Sequence, residues 1–316
     1  MDVKGISFGP AWGAAGVLNF DGKGYPYHKY LKPFGMDFAG ITHVSKTFTI
    51  EKKAGHMPLK TDGITPIEFK PKSIFADPIK GVALNAIDLT NFGLRHYLHS
   101  GIWEDIRKPF WLSFMAVGRF QLRRMDEYRE CAELLSNYKQ RFHPFGLQIN
   151  ISCFNTGLPL KKLLGEAKDG LQYLSKIGIP LQVKINALTP IEVALEIARD
   201  SNCHSICVSN AIPYGSHFPH SWWCYTFGEV SPLAQFGNGA LSGAPLREVV
   251  CDWIYTAKKR GLKKPINGGG GILSPVDVDK FRDAGAESVF LGSIAFLRPW
   301  RVRKTIERAY KLYGDD

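Results

Sequence analysis

Two lysines lie within or just after apolar runs, where a charged side chain needs a partner. Lys46 follows the run Ala39 to Val44, and Lys184 lies within the run Leu181 to Ile185. Removing an ammonium group from water is costly, so a lysine with apolar neighbours must be paired. A phosphate, an anionic cofactor ring or a carboxylate could pair each lysine. A structural salt bridge to an Asp or Glu is the alternative.

Two glycine-rich turns each lie between an apolar run and a helical pattern. They contain Gly268 to Gly271 and Gly292-Ser293. Glycine lets the backbone approach an oxyanion, and the first N–H groups of a helix can bind it. Ordinary tight turns are the alternative, but two such turns in succession predict a phosphate site.

A thiol and several amides follow other apolar runs. Cys153 could act as a base or nucleophile if its surroundings favour the thiolate, and no His is close in sequence to make a Cys/His hydrolase pair. Amide side chains offer two donors and an acceptor, which suits imide and carbonyl edges of flat heterocycles, although asparagines also cap turns. These asparagines are Asn85, Asn150, Asn155 and Asn210.

The elements that must position these residues alternate between strand and helix patterns. This alternation indicates a parallel sheet, and eight units predict an α/β fold of the closed (β/α)8 barrel type, with functional groups at the carboxyl ends of the strands. An open doubly wound sheet is the alternative. We expect a single domain, residues 1–316, with inserted loops. The predicted strands are Ala39–Val44, Gly81–Leu84, Trp111–Ala116, Leu147–Ile149, Leu181–Ile185, Ser205–Val208, Pro265–Ile266 and Ser288–Leu291.

The helical patterns have apolar residues at the spacing of one helix face. One pattern follows Thr189-Pro190, where proline suits the first turn. A long segment, residues 212–240, is rich in large aromatic side chains, and we predict a lid or an interface there. Among them are Phe218, Trp222, Trp223, Tyr225 and Phe227. The predicted helices are Arg124–Tyr138, Leu160–Ile177, Ile191–Arg199, Leu246–Arg260, Val276–Ala284 and Val302–Tyr313.

Composition narrows the classes of protein. The 316 residues carry 40 Lys and Arg against 29 Asp and Glu, a net charge of +11, but the charges are dispersed. This favours a solvated face that steers anions, and nucleic acid is not an expected partner. No stretch approaches the roughly 18 apolar residues of a membrane span, and the first ten residues lack a signal-peptide core, so we expect a soluble, cytoplasmic protein. The six cysteines have no metal-site spacing, Cys207 lies in an apolar run, and no metal is expected.

These motifs, in this order, resemble the dihydroorotate dehydrogenase family over nearly the whole chain. The family is a (β/α)8 flavoprotein that holds FMN at the barrel mouth. Cysteine at position 153 resembles the soluble class 1 enzymes. The motifs are Lys46-Thr47-Phe48-Thr49, Asn85-Ala86-Ile87, Asn150 to Asn155, Val183-Lys184, Ser209-Asn210, Leu241-Ser242-Gly243, Asn267 to Ile272 and Leu291-Gly292-Ser293.

The resemblance implies a role for each of these residues. Cys153 is the implied base that takes the C5 proton of (S)-dihydroorotate, while FMN takes the C6 hydride to leave orotate. Lys46, also a catalytic residue, lies between flavin and substrate, and Lys184 faces the N1/O2 edge of the flavin. Asn85, Asn150, Asn155 and Asn210 bind the pyrimidine. The other implied FMN contacts are Ala15, Gly16, Asn150, Ser209, Gly243, Gly270, Gly271, Gly292 and Ser293.

Four positions depart from the family pattern. Asp88 stands where glycine is usual, Phe154 replaces a proline, and Ala15 and Ala211 replace small hydroxyl residues. These departures leave a related dihydropyrimidine open as the substrate. A tRNA dihydrouridine synthase and a non-catalytic flavin-binding homologue are further alternatives. The resemblance implies a homodimer, and fumarate, a quinone or NAD through a partner subunit remain open as electron acceptor.

Overall fold

The computed structural model describes residues 1–151 and 160–314, and the side chains of residues 160–163 lie outside this description. Most strands are short, and two of the three six-residue strands, Phe145–Asn150 and Leu181–Asn186, are buried along their whole length. In chain order the strands are β1 (Asp2–Val3), β2 (Ile6–Ser7), β3 (Ala11–Gly13), β4 (Ile74–Asp77), β5 (Val82–Asn85), β6 (Phe110–Phe114), β7 (Phe145–Asn150), β8 (Leu181–Asn186), β9 (Ser205–Asn210), β10 (Ile212–Pro213), β11 (Ala240–Gly243), β12 (Ile266–Gly268) and β13 (Ser288–Leu291).

Seven of these strands form one parallel sheet, in the order β3–β13–β12–β9–β8–β7–β6. Residues 42–48 close it by bridging its two edge strands, since Thr42 pairs with Trp12 of β3 and Val44 with Trp111 of β6. With this segment, the described part of the chain forms a ring of eight parallel members. The predicted α/β barrel of the (β/α)8 type is therefore confirmed, and the open sheet is not.

Two predicted ring strands differ from the structure. Residues 39–44 were predicted as a strand, but only isolated bridges at Thr42, Val44 and Phe48 join that part of the chain to the ring. β5, which contains most of the predicted Gly81–Leu84 strand, lies in a separate antiparallel sheet of order β10–β11–β5–β4. Its place in the ring is taken by β3, a strand of three residues that the sequence pattern does not reveal. A short apolar run shows that a strand is buried, but it does not show which strand is its partner.

The helices cover the outside of the ring. The predicted helices Ile191–Arg199 and Val302–Tyr313 have the observed bounds, and the others differ by a few residues at their ends. Segment 212–240, predicted as a loop, contains a helix of eight residues. The helices are α1 (Pro26–Leu31), α2 (Leu94–Ser100), α3 (Gln121–Tyr138), α4 (Leu160–Leu174), α5 (Ile191–Arg199), α6 (His220–Phe227), α7 (Leu246–Lys259), α8 (Pro275–Ala284), α9 (Ile294–Leu297) and α10 (Val302–Tyr313).

Side chains alternate between the helices and the inside of the ring, as the two-residue period of a strand requires. In β8, Val183 packs in the main hydrophobic core, whereas Gln182 bonds to side chains of both neighbouring strands. The Gln148 amide donates to the Gln182 oxygen at 2.8 Å, and the Gln182 amide donates to Ser205 Oγ at 3.2 Å. Lys184 has the same parity as Gln182, so it also faces the ring interior, one step nearer the carboxyl end.

Candidate active site

A cavity of about 530 Å³ opens at the carboxyl ends of the ring strands. This volume is within the usual range of small-molecule sites, roughly 300–1,000 Å³. Residues far apart in sequence meet there, and most of the predicted site residues are among them. Those that line the cavity are Ala15, Gly16, Lys46, Asn85, Lys184, Ser209, Asn210, Gly270, Gly271, Gly292 and Ser293.

Lys46 belongs to the segment that closes the ring. Its side chain is buried, its ammonium donates to the carbonyl of Thr90, and it lies 5.0 Å from the centre of the Phe20 ring. Burial lowers the pKa of Lys46 to about 7, because the charged form is poorly solvated there. No described carboxylate lies within ion-pair distance of this lysine. The alternative of a structural salt bridge to an Asp or Glu is therefore excluded for the described residues.

Lys184 is the second buried cation of the cavity. Its ammonium lies 5.9 Å from the centre of the Phe290 ring, and no ion pair joins it to a carboxylate in the described ranges. Burial lowers its pKa, an effect that the neighbouring Cys207 thiol partly opposes. The cavity therefore holds two desolvated ammonium groups and favours an anionic ligand.

The glycine turn after β12 leaves a backbone surface without side chains. Gly270 and Gly271 have φ angles of +125° and +85°, which disfavour other residues. A Cβ atom on Gly271 would lie 2.7 Å from the backbone nitrogen of Arg247 and 2.8 Å from the carbonyl oxygen of Gly243. Gly243 therefore lies directly behind the turn, although it is not among the cavity-lining residues. The turn therefore packs backbone against backbone, and on its cavity side Gly270 and Gly271 leave backbone exposed, where a phosphate could bind.

A carboxylate in the first turn of the next helix bonds back to the end of this glycine turn. Asp277, in the first turn of α8, accepts the Leu273 N–H at 2.9 Å and the Ser274 hydroxyl at 2.9 Å. Arg247 pairs with the other oxygen of the same carboxylate at 2.6 Å. These contacts fix the glycine turn against α7, so the surface that it presents to the cavity is preorganised.

Amide groups from the ring meet beside Lys184. The Asn210 amide donates to Asn150 Oδ1 at 3.3 Å, which joins the ends of β9 and β7 on either side of β8. Ser209 Oγ accepts the Ala187 N–H at 2.8 Å and donates to the Asn210 carbonyl at 2.6 Å. Asn150 itself is buried and is not among the residues that line the cavity. The ends of three neighbouring strands thus present amides and one ammonium together.

Asn85 reaches the cavity from outside the ring. It is the last residue of β5, which pairs with β11 and β4, and not the end of a barrel strand as predicted. Asp88, three residues later, is exposed, has a φ angle of +51° and does not line the cavity. Its carboxylate is therefore turned away from the place where an anionic substrate would repel it.

One wall of the cavity was not predicted. It consists of the start of α1, with Tyr25, Pro26 and Tyr27, and of the segment between Met57 and Pro71. The available signal was the length of the chain between the lysine motif and β4, since long segments in compact domains are often functional. The segment predicted to be functional on its length, residues 212–240, does not line the cavity. The lid or interface predicted for that segment stays a prediction.

The remaining predictions concern cysteines and the residues next to them. Cys153, Asn155 and the unusual Phe154 lie outside the described residues. Cys203 and Cys207 are buried, and burial raises the pKa of each thiol to about 12. Cys207 is therefore the packed strand thiol that the apolar run predicted.

The fold and the site define an α/β barrel with a cavity at its carboxyl end that is lined by two buried lysines. A family model described as "Dihydroorotate dehydrogenase" matches residues 26–311. The chain therefore belongs to the dihydroorotate dehydrogenase family, whose members are flavin-dependent oxidoreductases acting on CH–CH groups, and the prediction of an enzyme of this class is confirmed.

Curated relatives agree with this membership. A protein of Halalkalibacterium halodurans named "Dihydroorotate dehydrogenase B (NAD(+)), catalytic subunit" is 26% identical over 275 residues, which are 84% of this chain and 81% of that protein. One of Endomicrobium trichonymphae with the same name is 26% identical over 266 residues, 81% of this chain and 74% of that protein.

A solved structure supports the fold. A structure of DHODH from Eimeria tenella in complex with ferulenol aligns with a TM-score of 0.66 and 19% identity, covering 99% of this chain and 83% of that one. Within the described residues, no helix has the length and apolar character to cross a membrane.

Proposed function

We propose that this chain is an FMN-dependent dihydroorotate dehydrogenase, which oxidises (S)-dihydroorotate to orotate in pyrimidine biosynthesis. The observation that supports this proposal most directly is that Lys46 and Lys184 line one cavity. Both side chains are buried, and neither has a carboxylate partner among the described residues. A buried ammonium without a counter-charge is strongly unfavourable, which supports an anionic group as the ligand that completes this site. Family membership supports a flavin nucleotide as that group.

The residues present fit FMN. The glycine surface of Gly270, Gly271 and Gly292, with Ser293, admits a phosphate, and Gly243 supports it from behind. Lys184, Ser209, Ala15 and Gly16 lie on the same cavity and would contact the rest of the nucleotide. When bound, FMN supplies the acceptor for the hydride that leaves C6 of the substrate.

The chain's other residues would bind and deprotonate the substrate. Asn85 and Asn210 line the cavity, and Asn150 and Asn155 complete the proposed amide set, which suits the imide edge and carboxylate of a pyrimidine acid. Lys46 would lie between flavin and substrate and hold the substrate's negative charge. Cys153, as thiolate, would take the proton from C5, a role that rests on the family resemblance.

The electrons would leave through another subunit. Both relatives described above are named catalytic subunits of an NAD(+)-dependent enzyme. We therefore propose NAD⁺ as the final acceptor, reached through an electron-transfer partner, and a homodimer of the catalytic chain in the cytoplasm. Size-exclusion chromatography with light scattering measures the mass of the purified chain, and a monomeric mass would contradict the dimer.

Anaerobic mixing with dihydroorotate tests the reaction. The FMN-loaded protein should lose its visible flavin absorbance, and orotate should form in equal amount. The Cys153→Ala variant should retain FMN and reduce it at least about a hundredfold more slowly, the usual scale for one acid–base group. Bleaching by dihydrouracil or by dihydrouridine-containing tRNA alone would reassign the substrate. A protein that binds FMN but is reduced by none of these would be a non-catalytic homologue.

A further inference from the structure

Three side chains with metal-binding atoms meet at α6, outside the candidate active site. His220 and Cys224 belong to this helix, and Glu229 lies just after its end. One ligand atom of each lies within 4.8 Å of those of the other two, and no other group of three or more His, Cys, Asp and Glu residues in the described ranges does so. None of the three lines the active-site cavity, so the proposed reaction leaves this cluster unexplained.

The local backbone brings the three groups together. Residues four apart on a helix are neighbours on its surface, which places the imidazole of His220 beside the thiol of Cys224. Cys224 Sγ lies 3.3 Å from His220 Nε2 and 3.8 Å from Glu229 Oε2. Gly228 ends the helix with a φ angle of +91°, and its N–H donates to the Cys224 carbonyl at 2.8 Å. This turn lets the Glu229 carboxylate reach the thiol.

The separations are close to those of ligands on one small metal ion. Zn²⁺ binds thiolate sulfur at about 2.3 Å, and imidazole nitrogen or carboxylate oxygen at about 2.0–2.2 Å, in a tetrahedral arrangement. Sulfur then lies roughly 3.6 Å from each of the other two ligand atoms. The observed 3.3 and 3.8 Å lie on either side of this value. Without an ion the contacts are weak hydrogen bonds, because thiol sulfur is a poor donor and a poor acceptor.

No protein cation of the described chain neutralises the cluster. Glu229 forms no ion pair with a lysine or arginine there. The ammonium of Lys80 lies beside α6, but it donates to the carbonyls of Tyr225 and Thr226, at 3.3 and 2.8 Å. The side chains of His220 and Glu229 are exposed and Cys224 is half-buried. An ion can therefore enter from solvent, and a water molecule can take a fourth coordination position.

We propose that His220, Cys224 and Glu229 bind a zinc ion. Its protein ligands are the thiolate sulfur, Nε2 of the imidazole and a carboxylate oxygen. Binding forms the zinc–sulfur bond and releases the thiol proton to solvent. Sulfur and nitrogen ligands select zinc over Mg²⁺ and Ca²⁺, which prefer oxygen. Spacing between cysteines does not reveal this site, because only one cysteine takes part.

The ion would join the end of α6 to the chain that follows it. The inner side of this helix already packs on its neighbours, since Phe227 stacks on Trp223 at 5.8 Å and contacts Phe75 of β4 at 5.9 Å. The exposed side has only the three contacting ligand groups to hold the turn at Gly228. Zinc would therefore have a structural role on the aromatic segment 212–240, independent of the proposed reaction.

Isothermal titration calorimetry with Zn²⁺ tests the site. The FMN-saturated protein is first treated with a chelator and its thiols are reduced. We expect one zinc ion per chain, and the variants Cys224→Ala and His220→Gln should each weaken its binding at least about tenfold, as the loss of a direct ligand requires. Co²⁺ is a second probe, because its thiolate charge-transfer absorbance requires a sulfur ligand. This absorbance should appear with the wild-type chain and be absent with Cys224→Ala.

Two control variants locate the binding. His217→Asn removes another exposed histidine of the same segment, at a φ angle of +65° that asparagine tolerates, and should bind zinc normally. Cys153→Ala removes the proposed catalytic thiol and should also bind it normally. Three results would overturn the proposal. They are equal zinc affinity in the wild-type chain and Cys224→Ala, loss of binding in Cys153→Ala instead, and Mg²⁺ binding as tight as that of Zn²⁺.

Discussion

The candidate active site and a second cavity, at the other end of the ring strands, have similar volumes of about 530 and 610 Å³. The second cavity is lined by residues of α1 and by the chain from Met36 to His43. The two cavities distribute charge in opposite ways. In the first, the ammonium groups of Lys46 and Lys184 are buried, and in the second the buried groups are the neutral imidazoles of His28 and His43. Charges interact more strongly where water is excluded. The first cavity can therefore stabilise charge that develops on a bound group, whereas the lysine and arginine side chains that line the second are exposed to solvent.

The strongest test of this difference removes a buried charge from the first cavity. Lys46→Met and Lys184→Met should each lower kcat at least about a hundredfold with FMN saturating, the scale observed when a preorganised electrostatic contact is lost. Steady-state turnover of dihydroorotate measures it. Lys259→Met, which removes an exposed ammonium, is the control and should turn over normally. Normal turnover in both buried-lysine variants would mean that the buried charges do not serve the reaction.

A second test fills the glycine surface beside those lysines. In Gly271→Ala the new methyl group would meet backbone atoms of Arg247 and Gly243 at 2.7 and 2.8 Å, and the φ angle of +85° is unfavourable as well. We expect unfolding free energy to fall by about 2 kcal/mol or more and FMN retention to decrease.

The matched control for this change is Gly261→Ala. Gly261 has a φ angle of +91° but no atom within 4 Å of the added Cβ, so only backbone strain acts there. Urea unfolding of both variants separates strain from crowding. Equal losses of stability would show that the close approach at Gly271 has no energetic consequence.

A third test uses pH to detect the burial of the Lys46 ammonium without a carboxylate partner. Its pKa is lowered from 10.5 to about 7 in the folded protein, so above pH 7 the unfolded chain binds more protons than the folded one. Stability of the FMN-free protein should therefore rise from pH 7 towards 10.5, by at most about 1.4 kcal/mol per pH unit from this residue. Urea unfolding at several pH values, compared with Lys46→Met, isolates the contribution. Identical pH slopes would contradict the lowered pKa of Lys46.

The smallest expected effect is the pH dependence of stability that His43, a residue lining the second cavity, contributes. Since burial lowers the pKa of His43 from 6.5 to about 4, the unfolded chain takes up a proton in this window while the folded one does not. Stability should thus fall as pH drops from 6.5 to 4, by less than about 1.4 kcal/mol per unit from this residue. His43→Leu should reduce the slope, and the Phe20 carbonyl would keep its bond from Trp103 at 2.9 Å. An unchanged slope would mean that His43 is not buried in its neutral form.

Particular elements show how far the sequence can be interpreted. Helix α5 was predicted with its observed bounds, because its apolar spacing and the preceding proline are local signals. Lys184 was correctly expected to be desolvated, since it interrupts a continuous apolar strand. Asn85 was correctly predicted to line the cavity. The reason was wrong, because its strand belongs to the antiparallel sheet and not to the ring. Cys153 and Asn155 lie outside the described residues, and their roles stay predictions.

Local pattern alone determined the alternation of strands and helices, the glycine turns and the burial of both lysines, because each depends on neighbours within a few residues. Closure of the ring through residues 42–48 and β3 was decided only by tertiary structure. So were the convergence of Lys46 and Lys184 on one cavity and the enclosure of His28 with His43 in another. These arrangements depend on hydrogen bonding and packing between distant segments, and one strand-like run can pair equally well in a parallel ring or an antiparallel sheet.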